Sequence, residues 1–321
     1  MSSTPQTATP DRSLDDPFSA GCAWIEGEYV PIGEARVPIL DQGFVRSDLT
    51  YDVVGVWEGK FFRLNDHLDR LERGCKLLRL ESPVSREEIQ EILSQVVSRS
   101  GLRASYVEAV ITRGIPAPGE RDPRKLTPRF YAYAIPYVWI VRPELQERGA
   151  DVIVAKETRR IPADSVNPKA KNFHWGDLVR GLFEAYDRGA TQPILPDGNG
   201  NVTEGPGFNV FALKGGRLYT PSEGVLEGIT RLTVIEIAAE LGREVVIDAM
   251  PVSILYEADE IFLSSTAGGV MPVATLDGEP VGSGTQGPVT RAIRDRYWEL
   301  HSDPRYTEAI KYDQIGNAVG S

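Results

Sequence analysis

The chain has 321 residues, 41% of them hydrophobic and 25% charged, a composition that can bury a sizeable core and excludes disorder as the main state. Asp plus Glu number 46 against 35 Lys plus Arg, and the net charge of -11 opposes the counterion release that nucleic-acid binding requires. Two cysteines, Cys22 and Cys75, are too few for a disulfide framework and lack metal-ligand spacing, so a reducing, cytoplasmic setting is expected.

Residues 1–17 are rich in Ser, Thr, Pro and Asp and read as a mobile tail, not a signal peptide. Ala23 to Ile32 and Val53 to Leu64 each hold two β-prone runs about an acidic-glycine turn, and both read as hairpins. Asn65 can cap a helix carrying Leu68, Leu71, Cys75 and Leu78 on one face. A second helix begins with the capping box Ser85/Glu88, carries Ile89, Ile92, Leu93, Val96 and Val97, and stops at Gly101. Tyr106–Thr112 and Arg129–Ile135 read as strands joined by a long Pro/Gly-rich loop, residues 114–128. The most apolar stretch, Tyr131 to Val141, is roughly half a membrane span and is broken by Pro136, so no crossing is expected.

A polar linker over residues 142–150 separates an N-terminal domain, 18–141, from a C-terminal one, 151–321. In the second, a strand starts at Asp151, a helix runs from Trp175 to Arg188, and a hairpin turns at Gly215-Gly216. Thr230 precedes another helix, and Pro288 opens a last one reaching Leu300. Strands grouped with turns, without strict βαβ order, favour an α+β layered domain plus a barrel-like one over a doubly wound sheet.

Several motifs fail on inspection. Asp197-Gly198-Asn199-Gly200-Asn201 starts like a calcium loop, but Val202 and Phe208 occupy the positions of the required Gly and Glu. Gly198-x-Gly200 lacks the third glycine and the helix of a dinucleotide loop. His67, His174 and His301 are too scattered for a histidine metal site, so no metal is expected.

Five segments remain: Phe61-Phe62-Arg63-Leu64-Asn65-Asp66-His67, Lys171-Asn172-Phe173-His174-Trp175-Gly176-Asp177, Thr203-Glu204-Gly205-Pro206-Gly207-Phe208-Asn209, Gly228-Ile229-Thr230-Arg231 and Ser264-Ser265-Thr266-Ala267-Gly268-Gly269. Each alone is weak, but together and in this order they resemble the fold type IV pyridoxal-phosphate enzymes. That resemblance implies a smaller two-layer α/β N-terminal domain and a larger pseudo-barrel C-terminal domain. It further implies pyridoxal 5'-phosphate as cofactor, a homodimer, and Lys171 as the Schiff-base lysine that shuttles a proton. Glu204 would face the pyridine nitrogen, and Arg63, Ile229, Thr230 and Thr266 would hold the phosphate. A lysine, a turn glutamate or a helix-start threonine in isolation would read as ordinary solvated or capping groups.

Within that family, Tyr106-Val107-Glu108 followed by Ala109 to Gly114, and Ser47 to Asp52, resemble the (R)-selective amine transaminases. Branched-chain aminotransferases place an arginine where Glu108 stands. The implied reaction moves an amino group from an (R)-amine to pyruvate or a similar keto acid. A D-amino-acid or branched-chain amino acid aminotransferase is the alternative. Tyr51, Val53, Tyr106, Phe173, Trp175 and Ser265 would bind substrate, and Arg46, where many relatives have histidine, could meet a carboxylate. Arg121, with Arg124 as competitor, is expected to swing from the long loop onto the keto acid.

Overall fold

The computed structural model describes residues 16–312, so nearly all of the expected tail at 1–17 lies outside the described residues. In chain order the elements are β1 (Cys22–Ile25), β2 (Glu28–Pro31), α1 (Gln42–Arg46), β3 (Leu49–Trp57), β4 (Lys60–Phe62), α2 (Leu64–Leu78), α3 (Arg86–Ser100), β5 (Ser105–Thr112) and β6 (Arg129–Pro136). There follow α4 (Pro143–Gln146), β7 (Ala150–Val154), α5 (Gly176–Asp187), β8 (Gln192–Ile194), β9 (Asn209–Lys214), β10 (Arg217–Pro221), α6 (Ile229–Glu240) and β11 (Val245–Asp248). The last described elements are α7 (Ser253–Tyr256), β12 (Glu260–Ser265), β13 (Gly269–Leu276), β14 (Glu279–Pro280), α8 (Pro288–Leu300) and β15 (Thr307–Ala309). No helix among the described residues is long and apolar enough to cross a membrane.

The elements form two units, the first made of residues up to Val138 together with the segment from Pro304, and the second of Trp139–Asp303. The expected boundaries at 141/142 and 150/151 therefore shift. The linker region holds α4, and the chain after Asp303 returns to the first unit because β15 pairs antiparallel with β4, Thr307 opposite Phe62. Ile310 enters the first core, and the Arg103 guanidinium lies 3.8 Å from the Tyr312 ring centroid.

The first unit is a seven-stranded sheet in the order β15-β4-β3-β5-β6-β1-β2, antiparallel at every pairing. Alternation of side chains along each strand divides it into two faces. Val54, Val56, Val107, Ala109, Ile111, Ala132 and Ala134 pack beneath α2 and α3, while Leu49, Tyr51, Val53, Val110 and Tyr131 cluster on the other side. A two-layer α/β arrangement follows. The α3 capping box is formed, with Ser85 Oγ accepting from Glu88 N and Glu88 accepting from Ser85 N, and Gly101 closes the helix at φ 69°. The α2 start differs from expectation: Arg63, at φ 56°, and not Asn65, is the N-cap residue.

The second unit is an eight-stranded mixed sheet, β11-β10-β9-β12-β13-β7-β8, with β14 on β13. Its parallel pairs are β10/β11, β13/β7 and β7/β8. Val210, Ala212, Ile261, Leu263, Met271 and Val273 build its core, and Phe211 stacks on Phe262 at 5.0 Å. The long apolar runs of β9 and β12 reflect burial on both faces, since α6 and α8 pack across β12.

Candidate functional site

Lys171 lies in the loop before α5, partly buried. Its backbone is clamped from the next residue: Asn172 Nδ2 donates to Ala170 O at 2.8 Å, while Asn172 Oδ1 accepts from His174 N at 2.9 Å. Two neutral hydrogen bonds thus fix where the lysine leaves the main chain.

Glu204, 7% exposed, stands where the main chain is tied down, Leu195 N donating to Glu204 O and Thr203 N to Leu195 O. The tight turn after it needs glycine at 205, because a Cβ there would lie 2.1 Å from the Phe208 ring. Burial pushes the Glu204 carboxyl above its usual range, while Arg160, the Leu226 N–H and Lys171 pull it down. Oε1 accepts from Arg160 Nε and Nη2 at 3.2 and 3.1 Å, and Oε2 accepts from Leu226 N at 2.8 Å. Lys171 and Glu204 are therefore in electrostatic reach of one another.

The second unit also supplies anion donors. Gly228 precedes α6 with no side-chain cap, leaving the first N–H groups of a twelve-residue helix, including those of Ile229 and Thr230, without a capping acceptor. Gly228 is required there, since a Cβ would meet Asn209 Oδ1 at 2.2 Å. Ser265 Oγ donates to Gly207 O at 2.7 Å and accepts from Ala267 N, which shapes the turn carrying Thr266. Trp175 packs on Leu178 and Leu195, while Phe173 is 40% exposed.

A buried carboxylate suited to a cationic ring nitrogen, an amine beside it and an uncapped helix start fit pyridoxal phosphate. The helix and the Ser265–Gly269 turn would hold its phosphate, and Glu204 its nitrogen.

The remaining candidates belong to the first unit. Tyr51 and Val53 of β3, Tyr106 and Glu108 of β5 and Tyr133 of β6 share one sheet face, with Val53 opposite Glu108 and Glu108 opposite Tyr133. Glu108 is 4% exposed and accepts from the Tyr106 hydroxyl at 3.3 Å and from the Tyr133 hydroxyl. Burial, then the Glu108 charge, raises both phenols well above their ordinary range. On the opposite face Asp52 is gripped by α2, with Arg70 Nε at 2.7 Å and His67 Nδ1 at 2.7 Å.

Arg63 is buried and ion-paired to Asp66 Oδ2 at 2.7 Å, its guanidinium 5.5 Å from the Tyr306 ring centroid. Arg46 is exposed at the end of α1. In the long loop Arg124 is held by Asp122 through Nε and Nη2, whereas no ion pair among the described residues engages the exposed Arg121. Sequence reasoning missed Arg160 altogether, and quoted Asp177 without giving it a role. Arg160 stands in a polar loop with no local pattern to mark it.

Residues 49–276 match the family model for amino-transferase class IV, whose members use pyridoxal phosphate. A putative branched-chain-amino-acid aminotransferase of Methanocaldococcus jannaschii is 32% identical over 87% of this chain and 96% of its own. The branched-chain-amino-acid aminotransferase of Escherichia coli K12 is 31% identical over 86% of this chain and 92% of its own. A crystal structure of the Escherichia coli branched-chain amino acid aminotransferase superposes with a TM-score of 0.84 at 28% identity, covering 91% of this chain and 100% of that one. Another branched-chain amino acid aminotransferase, solved with pyridoxamine 5'-phosphate, superposes equally well, with a TM-score of 0.84 at 31% identity over 91% of this chain and 99% of that one.

Proposed function

Because the chain belongs to the amino-transferase class IV family and is a pyridoxal-phosphate-dependent aminotransferase, we propose that it transfers the amino group of a branched-chain amino acid to a keto acid. The support is the set of relatives, which match over most of both chains and carry that activity in their names. When bound, the cofactor supplies an electron-withdrawing ring that accepts charge as the substrate carbon loses its proton. Lys171 Nζ is the group that takes this proton and returns it, placed by the Asn172 clamp. Glu204 would hold the positive ring nitrogen, and the α6 start with Thr266 would anchor the phosphate. For Arg63 a phosphate-binding role is proposed on the strength of the segment it stands in alone.

A second reading, an (R)-amine donor with pyruvate as acceptor, is favoured by Glu108. That buried carboxylate shares its sheet face with Tyr51, Tyr106 and Tyr133, and its charge would repel the carboxylate of an amino-acid donor. A D-amino-acid donor draws support only from Arg46. One screen separates the three. L-Leucine, L-valine and L-isoleucine, D-alanine and both enantiomers of 1-phenylethylamine are each paired with pyruvate and with 2-oxoglutarate. Turnover confined to the branched-chain L-amino acids supports the first reading, and turnover of the (R)-amine with pyruvate replaces it with the second.

A homodimer is proposed as well. Val37, Ile39, Leu40, Phe44 and Val45 are each at least half exposed within one short stretch, an apolar surface large for a lone chain in water. A monomeric mass by light scattering would reject it. A cytoplasmic location is proposed on cysteine usage alone.

A further inference from the structure

A second charged pair stands behind Glu204. Arg160, 9% exposed, lies in the loop after β7 and places Nε and Nη2 on Glu204 Oε1. Its remaining arm, Nη1, donates to Asp177 Oδ2 at 2.6 Å, and both side chains of that pair are 8% exposed. Asp177 is itself fixed by the main chain, accepting from Ile161 N at 2.7 Å through Oδ2 and from Leu178 N at 2.9 Å through Oδ1. It stands in the first turn of α5, where a carboxylate is favoured by the helix dipole.

Two consequences follow from this geometry. First, Glu204, Asp177 and Arg160 sum to one negative charge, which leaves Lys171, whose charge acts on Glu204, as the balancing cation. Second, lone pairs are apportioned. Oε1 receives two donors and Oε2 one, which leaves a single acceptor position on Oε2.

We propose that Arg160, anchored by Asp177, is a positioning residue that keeps Glu204 in its carboxylate form and leaves Oε2 as the atom that takes the N–H of the cofactor ring. This rests on the assignment of Glu204 to the ring nitrogen made above. Arg160 touches Glu204 itself, so with the cofactor bound its charge would favour the arrangement in which the proton sits on nitrogen and the negative charge on oxygen. Burial pushes the Glu204 carboxyl upward even with Arg160 beside it, and the guanidinium is the largest influence opposing that rise, so its removal would shift the shared proton towards the carboxyl.

The test is nitrogen-15 NMR of the holoenzyme loaded with pyridoxal phosphate labelled at the ring nitrogen, a readout independent of turnover. The wild type and Arg160→Lys should show the protonated-ring shift. Arg160→Leu should move it toward the unprotonated value and weaken cofactor binding about ten- to hundredfold, the scale of a lost charge-assisted contact. Asp177→Asn should lie between them. If Arg160→Leu fails to hold cofactor, Asp177→Asn carries the decision. A protonated-ring shift unchanged in Arg160→Leu, or in Asp177→Asn when that variant decides, overturns the proposal. Glu204→Gln separates the two levels. If the ring stays protonated there, Glu204 is not its partner and the assignment falls, taking the proposal with it; if Glu204→Gln deprotonates the ring while Arg160→Leu does not, only the role of Arg160 falls.

Discussion

At the scale of single residues, what distinguishes one charged side chain from another is whether it already has a partner. Arg124 is occupied by Asp122, and Arg121 has no such tie among the described ion pairs, so of the two we propose Arg121 as the loop guanidinium for a keto-acid carboxylate. Arg121→Ala should raise the Michaelis constant for the keto acid roughly ten- to hundredfold and spare the amine half-reaction, since a charge-assisted contact is worth about 1.5 to 3 kcal/mol. Single-turnover kinetics on each half would show it, and equal damage to both halves would point to a misfolded loop. His301 offers a residue-scale prediction about stability. Burial holds its imidazole down at about 4, below the ordinary 6.5, although Nδ1 donates to Tyr297 O at 3.0 Å. The unfolded chain therefore binds a proton that the folded one refuses, so the contribution is complete above the ordinary histidine range and is lost as pH falls from 6.5 towards 4. The loss amounts to roughly 3 kcal/mol. Urea midpoints across that range should fall less steeply in His301→Gln, and an unaltered slope would clear His301 of the effect.

At the scale of elements, the Tyr51 and Val53 side of β3 depends on what grips its other side. Asp52 alternates with Tyr51 and Val53 along the strand, and its contacts with His67 and Arg70 fix α2 against β3. The Arg70 and His67 contacts hold the Asp52 carboxyl well below its usual range against the opposing effect of burial. Gly74 lets the two elements close up, since a Cβ at that position would lie 2.4 Å from Thr50 Oγ1. Gly74→Ala should therefore destabilise the protein by about 1 to 3 kcal/mol, although alanine favours an isolated helix. Chemical denaturation measures this directly; a stabilised variant would mean that Thr50 rotates away at no cost.

At the scale of the whole molecule, two separate cores divide the chain, and the last described segment belongs to the first of them. β15 supplies an edge strand to β4, Ile310 N donates to Gly59 O at 3.0 Å, and Tyr306 lies beside the buried Arg63 guanidinium. Truncation after Asp303 should loosen the sheet of the first unit by roughly 3 kcal/mol through lost apolar burial and strand pairing, and leave the second unit's sheet protected. Hydrogen exchange resolved by segment reads both. Equal loosening of β3–β5 and of β9–β12 would contradict this division.

The sequence by itself determined what depends on neighbours in the chain. Ser85 and Glu88 are three residues apart and close the capping box, Pro288 starts α8 and Leu300 ends it, and Gly215-Gly216 turns the β9/β10 hairpin with both residues at positive φ. The five segments likewise pointed to the family and its cofactor, because each holds its pattern within a few residues. Tertiary structure alone decided the rest. Arg160 reaches Glu204 across 44 residues and Asp177 across 17, and nothing in a polar loop announces such partners. Glu108 became a carboxylate among tyrosines only when β3, β5 and β6 were aligned in register, and the short β15 could be assigned only by the strand it joins. Local pattern is written in spacing along the chain, whereas the charge balance of a buried site is set by groups that meet only after folding.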